Sequence, residues 1–139
     1  MTGVFHRHIV AQSMAVRTLL AEMRAELQTA GLHPDRCGTV EIALAEALNN
    51  IVEHAYAGTP GEITFDMALG AQGLRIDLRD NGAPLPGPGI PINDPPVSQG
   101  HRDTLPEGGF GWFLIRTLTR DLHYQRTAQE NHLTLCFDV

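Results

Sequence analysis

Three short stretches carry side chains whose types and spacing could do chemistry. In the first, Glu46 and Asn50 stand four residues apart within EIALAEALNN. At about 100° per residue this spacing places them about 40° apart on one helix face. A carboxylate there can take a proton as a general base. An amide oxygen beside it can ligate a hard cation such as Mg²⁺, which takes oxygen ligands and keeps water and substrate phosphates in the rest of its shell. Taken alone, such a pair is more often a solvated helix face, with Asn49 and Glu53 sharing it opposite the apolar stripe.

The second stretch is Asp80-Asn81-Gly82, where an alternating apolar run ends. These residues suit a tight turn. They also suit recognition: a fixed carboxylate can accept the exocyclic amine of adenine, and a glycine lets backbone approach the base. The third is Gly108-Gly109-Phe110-Gly111 ahead of an apolar segment. Glycines at a helix start let backbone N–H groups face a phosphate whose charge the helix dipole favours. The P-loop spacing is missing and no strand leads directly into these glycines, which argues against P-loop and dinucleotide-binding folds.

The elements that must position these residues follow from periodicity. Val4 to Gln12 suits a short strand. Ser13 suits a helix N-cap, followed by Val16, Leu19, Leu20, Met23 and Leu27 at helical spacing and a stop at Gly31. His33-Pro34-Asp35 opens a second helix whose stripe is Val40, Leu44, Ala47, Leu48, Ile51, Val52 and Ala55, ending near Tyr56. Two alternating strands flank the loop Gly70-Ala71-Gln72-Gly73. Seven of the nine prolines then fall between Gly82 and Glu107, a long stretch of the kind that serves as a lid or binding loop. A helix from Trp112 to Asp121 and two closing strands complete the chain, one with Leu122 and Tyr124, the other with Leu133, Leu135, Phe137 and Val139. Paired helices against an antiparallel or mixed sheet make an α+β two-layer sandwich.

Composition bounds the partners. The chain has 139 residues, 42% of them hydrophobic, and a net charge of −6, with arginine as its only strongly basic side chain. That balance disfavours broad nucleic-acid or anionic-membrane binding. No apolar run approaches a membrane span, and MTGVFHRH lacks a signal-peptide layout, so a cytoplasmic domain is expected. Cys37 and Cys136 form no disulfide framework or zinc motif and read as two buried thiols.

In combination the three stretches resemble a known family. EIALAEALNNIVEHAY (Glu41 to Tyr56) resembles the N-box helix of the histidine-kinase-like (GHKL) ATPase superfamily, LRDNGAP its first glycine box, and LPEGGFGWFLIRTL (Leu105 to Leu118) its second. The resemblance covers nearly the whole chain and is nearest in character to bacterial anti-sigma factors that are also serine-protein kinases. It implies one Bergerat-type ATP-binding domain over residues 1–139, with a mixed, mostly antiparallel sheet and an ATP lid at about 83–107. Residue by residue it implies Glu46 as general base on a serine hydroxyl, Asn50 as Mg²⁺ ligand, and Asp80 on adenine with Gly82 beside it. Gly108, Gly109 and Gly111, with Phe110 among them, form the phosphate loop. His54 fits the pattern without a clear role. Trp112 stands where the family usually has a smaller aliphatic residue, and Glu107 where some members have a glycine. With no lysine available, Mg²⁺, backbone amides and Arg102 or Arg116 would meet the phosphate charge.

The implied cofactors are ATP and Mg²⁺. The implied partners are an anti-anti-sigma factor, phosphorylated on serine, and a sigma factor, with homodimer formation as a further expectation. A competing reading is a nucleotide-gated protein-binding module with little or no kinase activity. A histidine-kinase catalytic fragment is disfavoured, because one helix precedes the N-box helix and His6, His8 and His33 lie outside any phospho-acceptor helix.

Overall fold

Alternating apolar residues need a helical layer to cover them, and the chain supplies it from two sides of the sequence. A computed structural model describes residues 3–87, 89–91 and 109–139, with the backbone alone at 109 and 110. Strand β1 (Gly3–Val10) is followed by helices α1 (Ser13–Thr29) and α2 (Pro34–Asn50), then by β2 (Glu62–Gly70) and β3 (Gly73–Asp80). Helix α3 (Gly109–Leu118) leads into β4 (Asp121–Thr127) and β5 (Glu130–Phe137). The five strands lie in the order β1-β2-β3-β5-β4, and every ladder among them is antiparallel. The connection after β3 therefore delivers the chain to the far edge, and β5 returns to pair with β3. This is the expected α+β sandwich.

One sheet face is apolar: Phe5, Ile63, Phe65, Met67, Leu74, Ile76, Leu78, Leu133, Leu135 and Phe137 are buried there. Helix α1 contributes Val16, Leu19, Met23 and Leu27, and α2 contributes Cys37, Val40, Ala43, Leu44, Ala47 and Leu48. Each such large side chain removed from water contributes about 1.5–3 kcal/mol. Among the described residues no helix is long and apolar enough to cross a membrane. Cys37 is buried as expected, but Cys136 is only half-buried, because its position in β5 turns it away from the helices.

Several boundaries differ from the periodicity. Ser13 does not cap α1: it is already helical, and extended Gln12 holds the cap position without a side-chain bond. The other end follows expectation. Gly31, at φ +92°, donates to the Gln28 carbonyl and Leu32 to the Leu27 carbonyl, a pairing that closes a helix through a left-handed residue. At α2 the His33 Nδ1 accepts from the Asp35 amide at 3.1 Å, with Pro34 in the first turn. Helix α3 runs from Gly109 rather than Trp112 and stops before Asp121, which opens β4. Gly109 and Gly111 thus belong to the helix itself. Val139 lies beyond β5.

The opposite sheet face is polar and includes one strong electrostatic feature. Burial pushes the Asp77 carboxyl up, but hydrogen bonds from Arg75, His132 and Thr134 outweigh it and hold it at about 2. A carboxyl held below its ordinary value stabilises the fold above the unfolded-state value and loses that contribution as pH falls through the folded one. Asp77→Asn is therefore expected to cost about 1–2 kcal/mol at neutral pH. Urea unfolding should show the difference from wild type closing as pH approaches about 2.

Candidate functional site

Glu46 and Asn50 sit on the last turns of α2, and the structure puts them in the seam between α2 and α3 rather than on an open face. Both are half-buried, whereas Asn49 and Glu53 are exposed. The partner across the seam is Gly111. A Cβ built on it would lie 2.8 Å from Glu46 Oε2, 3.7 Å from Glu46 Cδ and 3.9 Å from Asn50 Nδ2. A Cβ at this position would have to displace the Glu46 carboxylate, which glycine leaves in place beside the N-terminal turn of α3. The first amides of that turn have no carbonyl partners within the helix and carry its positive end. The backbone of Gly109, Phe110 and Gly111 forms the turn, while Gly108 lies outside the described residues.

Glu46 makes no hydrogen bond or ion pair among the described residues. Asn50 Nδ2 is buried without a hydrogen-bond partner among the described residues. Leaving such a group unpaired costs about 1–3 kcal/mol. A phosphate oxygen would satisfy the NH₂, and the same amide turned over would present Oδ1 to a cation. The donor set therefore fits a hard cation that carries phosphate and water ligands of its own.

After Asn50 the helix widens into one π-turn, Ile51–Ala55. Such turns concentrate at functional sites. This one aims the Ala55 carbonyl at the glycine turn after β3, where it accepts the Ala83 amide at 2.8 Å. A Cβ on Gly82 would lie 2.7–2.8 Å from Ala55 backbone and side-chain atoms, so glycine is required by close approach. Tyr56 ties the same corner from below, its hydroxyl donating to the Glu62 carbonyl at 2.6 Å and accepting the Asn81 amide at 2.9 Å.

Asp80 closes β3 and is 5% exposed. Burial pushes its carboxyl above the ordinary carboxylate value, opposed by hydrogen bonds from Asn131 and the Gly82 amide and by the charge of Arg126. It lines an apolar pocket with Asn50, Ile51, Ala55, Trp112 and Tyr124. A carboxylate at the end of a hydrophobic slot can select a flat ring bearing an amine.

The structure thus joins Glu46, Asn50 and Gly111 directly, and joins Asn50 to Asp80 through one pocket. Gly82 stands beside it, against Ala55. His54 is exposed and lines no part of the pocket. Arg116 is exposed in the last turn of α3, at the opposite end from the glycines. Arg102, Glu107 and the expected lid from residue 92 to 107 lie outside the described residues. Sequence reasoning missed Tyr124 and Asn131. Their only local signal was a polar residue in a strand otherwise alternating toward the core. It read Trp112 as a helix start and as a departure from the family pattern, whereas the indole is 6% exposed and forms a pocket wall.

One expected outcome follows from the seam. Gly111→Ala would push against the mobile end of Glu46 rather than against backbone. We expect the fold to persist, with the phosphoryl transfer that the resemblance implies falling about tenfold or more and the implied ATP affinity changing less. Steady-state kinetics beside calorimetry would read the split.

The chain matches the family described as histidine kinase-like ATPase domain over residues 9–137. Serine-protein kinase RsbW of Bacillus cereus is 34% identical over 122 residues, covering 82% of this chain and 72% of that one. Serine/threonine-protein kinase BtrW of Bordetella bronchiseptica is 37% identical over 98 residues, covering 70% of this chain and 67% of that one. Among solved structures, the RsbU and RsbW domains of a Mycobacterium tuberculosis protein superpose with a TM-score of 0.66 at 19% identity. That match covers 98% of this chain and 32% of the other, and at this identity it speaks to the fold alone.

Proposed function

Because this chain belongs to the histidine kinase-like ATPase domain family, we propose that it is an ATP-dependent serine-protein kinase and anti-sigma regulatory factor. Its substrate is a serine of an anti-anti-sigma partner, and its other partner is a sigma factor. The observation that carries this reading is the approach of Gly111 to Glu46 and Asn50, which brings a carboxylate, an amide and a helix N-terminus together, with Asn50 also lining the Asp80 pocket.

Magnesium-ATP, when bound, supplies the phosphoryl group and the cation that offsets its charge. Phosphoryl transfer asks the protein mainly for positioning and charge stabilisation. Asp80 accepts the purine amine, and Trp112 and Ile51 exclude water around the ring. The Asn50 amide, turned over, would hold the metal. The first amides of α3 face the phosphates and compensate for the missing lysine. Glu46 takes the proton from the attacking serine hydroxyl and orients its oxygen. The whole chain acts as one domain, and residues 83–107 serve as its lid. Homodimer formation and cytoplasmic location belong to the same reading.

The test is incubation of the full chain with labelled ATP, Mg²⁺ and a small anti-anti-sigma-type protein. The label is expected on a serine of the partner. Tight ATP binding with no labelled product would favour a nucleotide-gated binding module instead.

A further inference from the structure

Asp80 is held from behind by residues that none of the three motifs contains. Asn131 on β5 is 5% exposed, as buried as Asp80 itself. Its Nδ2 donates to Asp80 Oδ1 at 2.8 Å and to the Ala83 carbonyl at 2.9 Å, and lies 3.3 Å from the Gly82 carbonyl. Its Oδ1 accepts from the Tyr124 hydroxyl at 2.5 Å and from Arg126 at 3.1 Å. The amide has one workable orientation, because reversing it would set oxygen against a carboxylate and two carbonyls. The Tyr124 hydroxyl has a single hydrogen, already given to Asn131, and it accepts the Leu85 amide at 3.0 Å. Arg126 closes the ring with a 2.7 Å bond to the Gly82 carbonyl.

We propose that Asn131 is a positioning residue for purine recognition. Through Tyr124 it couples the seating of a 6-amino purine on Asp80 to the docking of Ala83–Leu85 at the pocket. The inference rests on the assignment of Asp80 to adenine and deepens it. Both hydrogen bonds that Asp80 accepts among the described residues, from Gly82 and Asn131, fall on Oδ1. That leaves Oδ2 for a ligand and fixes the plane of the carboxylate. Leu85, Ala83, Tyr124 and Asn131 all line the same pocket as Asp80. A continuous run of donors and acceptors therefore leads from the Leu85 amide to the carboxylate. Connected, largely buried hydrogen-bond networks favour one arrangement of their members.

The experiment compares the full-length wild type with Asn131→Ala and Tyr124→Phe. Each is titrated with ATP and with purine riboside triphosphate, which lacks the 6-amino group, following Trp112 emission and checking folding by circular dichroism. Wild type is expected to prefer ATP by about tenfold or more, the range of a hydrogen bond to a charged group. The preference should shrink to about threefold or less in Asn131→Ala, and to an intermediate value in Tyr124→Phe. In wild type, the Leu85 amide should exchange more slowly with ATP bound than with the analogue.

If wild type discriminates and the folded variants discriminate equally well, the positioning role is overturned while the Asp80 assignment stands. If wild type does not discriminate, the Asp80 assignment fails and this inference with it. Should Asn131→Ala not fold, Tyr124→Phe decides alone, since it removes one oxygen and leaves the ring in place. Equal Leu85 protection by both nucleotides would overturn the coupling to Ala83–Leu85.

Discussion

Glu46→Gln is expected to lower phosphoryl transfer to serine by about 10²–10⁴-fold, the range for removal of a general base. ATP affinity should stay within about threefold of wild type, because the change adds no bulk and removes no purine contact. The structure gives two reasons to expect so clean a split. The Glu46 carboxylate makes no hydrogen bond or ion pair among the described residues, so the change breaks none of those. It lies next to the Gly111 turn, where the reacting phosphoryl group would be. Single-turnover labelling of the partner beside a calorimetric titration separates the two quantities. Transfer at the wild-type rate would remove Glu46 from the mechanism.

Asp80→Asn is expected to weaken ATP binding by about 10–100-fold while leaving the fold as stable as before or more so. The two effects have opposite signs for one physical reason. Burial pushes the Asp80 carboxyl above its ordinary value, so the folded chain disfavours the charged form. A group with a raised folded value stabilises the fold only at lower pH, and that contribution is lost as pH rises through the folded value. Neutralising it by an isosteric amide removes this penalty. The Gly82 and Asn131 bonds can persist on the amide oxygen. Binding suffers because the new NH₂ would face the purine amine, donor against donor. Thermal melts without nucleotide and titrations with it would read the two signs separately. A large loss of stability without nucleotide would contradict this account of the site.

Much of this site was legible because its chemistry sits on regular elements. Glu46 and Asn50 were readable as a pair because four residues is nearly one helical turn. Asp80 was readable because it ends an alternating strand and precedes a glycine. What linear spacing could not give was the far side of the pocket. Asn131 and Tyr124 reach Asp80 only because β5 pairs with β3 and β4 lies outside β5, an order set by the crossover and not by any local pattern. The start of α3 was missed for another reason. Helix propensity penalises glycine by about 1 kcal/mol, so a run of glycines reads as a loop. The close approach of Gly111 to Glu46 is a tertiary requirement that overrides the penalty. The π-turn at Ile51–Ala55 has no sequence signature either. The same apolar stripe fits an α-helix, and only the contact of Ala55 with Gly82 and Ala83 reveals the change of pitch.

The central claim is that Asn50, Asp80 and the glycine turn of α3 enclose one site for a purine triphosphate. The chain has a single tryptophan, and Trp112 forms a wall of that site. Titrating its emission with magnesium-ATP is therefore the most direct measurement. The account predicts a saturable change that ADP competes away and that Asp80→Asn shifts to higher nucleotide concentration. Emission that stays flat to millimolar nucleotide, or a curve that Asp80→Asn leaves in place, would contradict it.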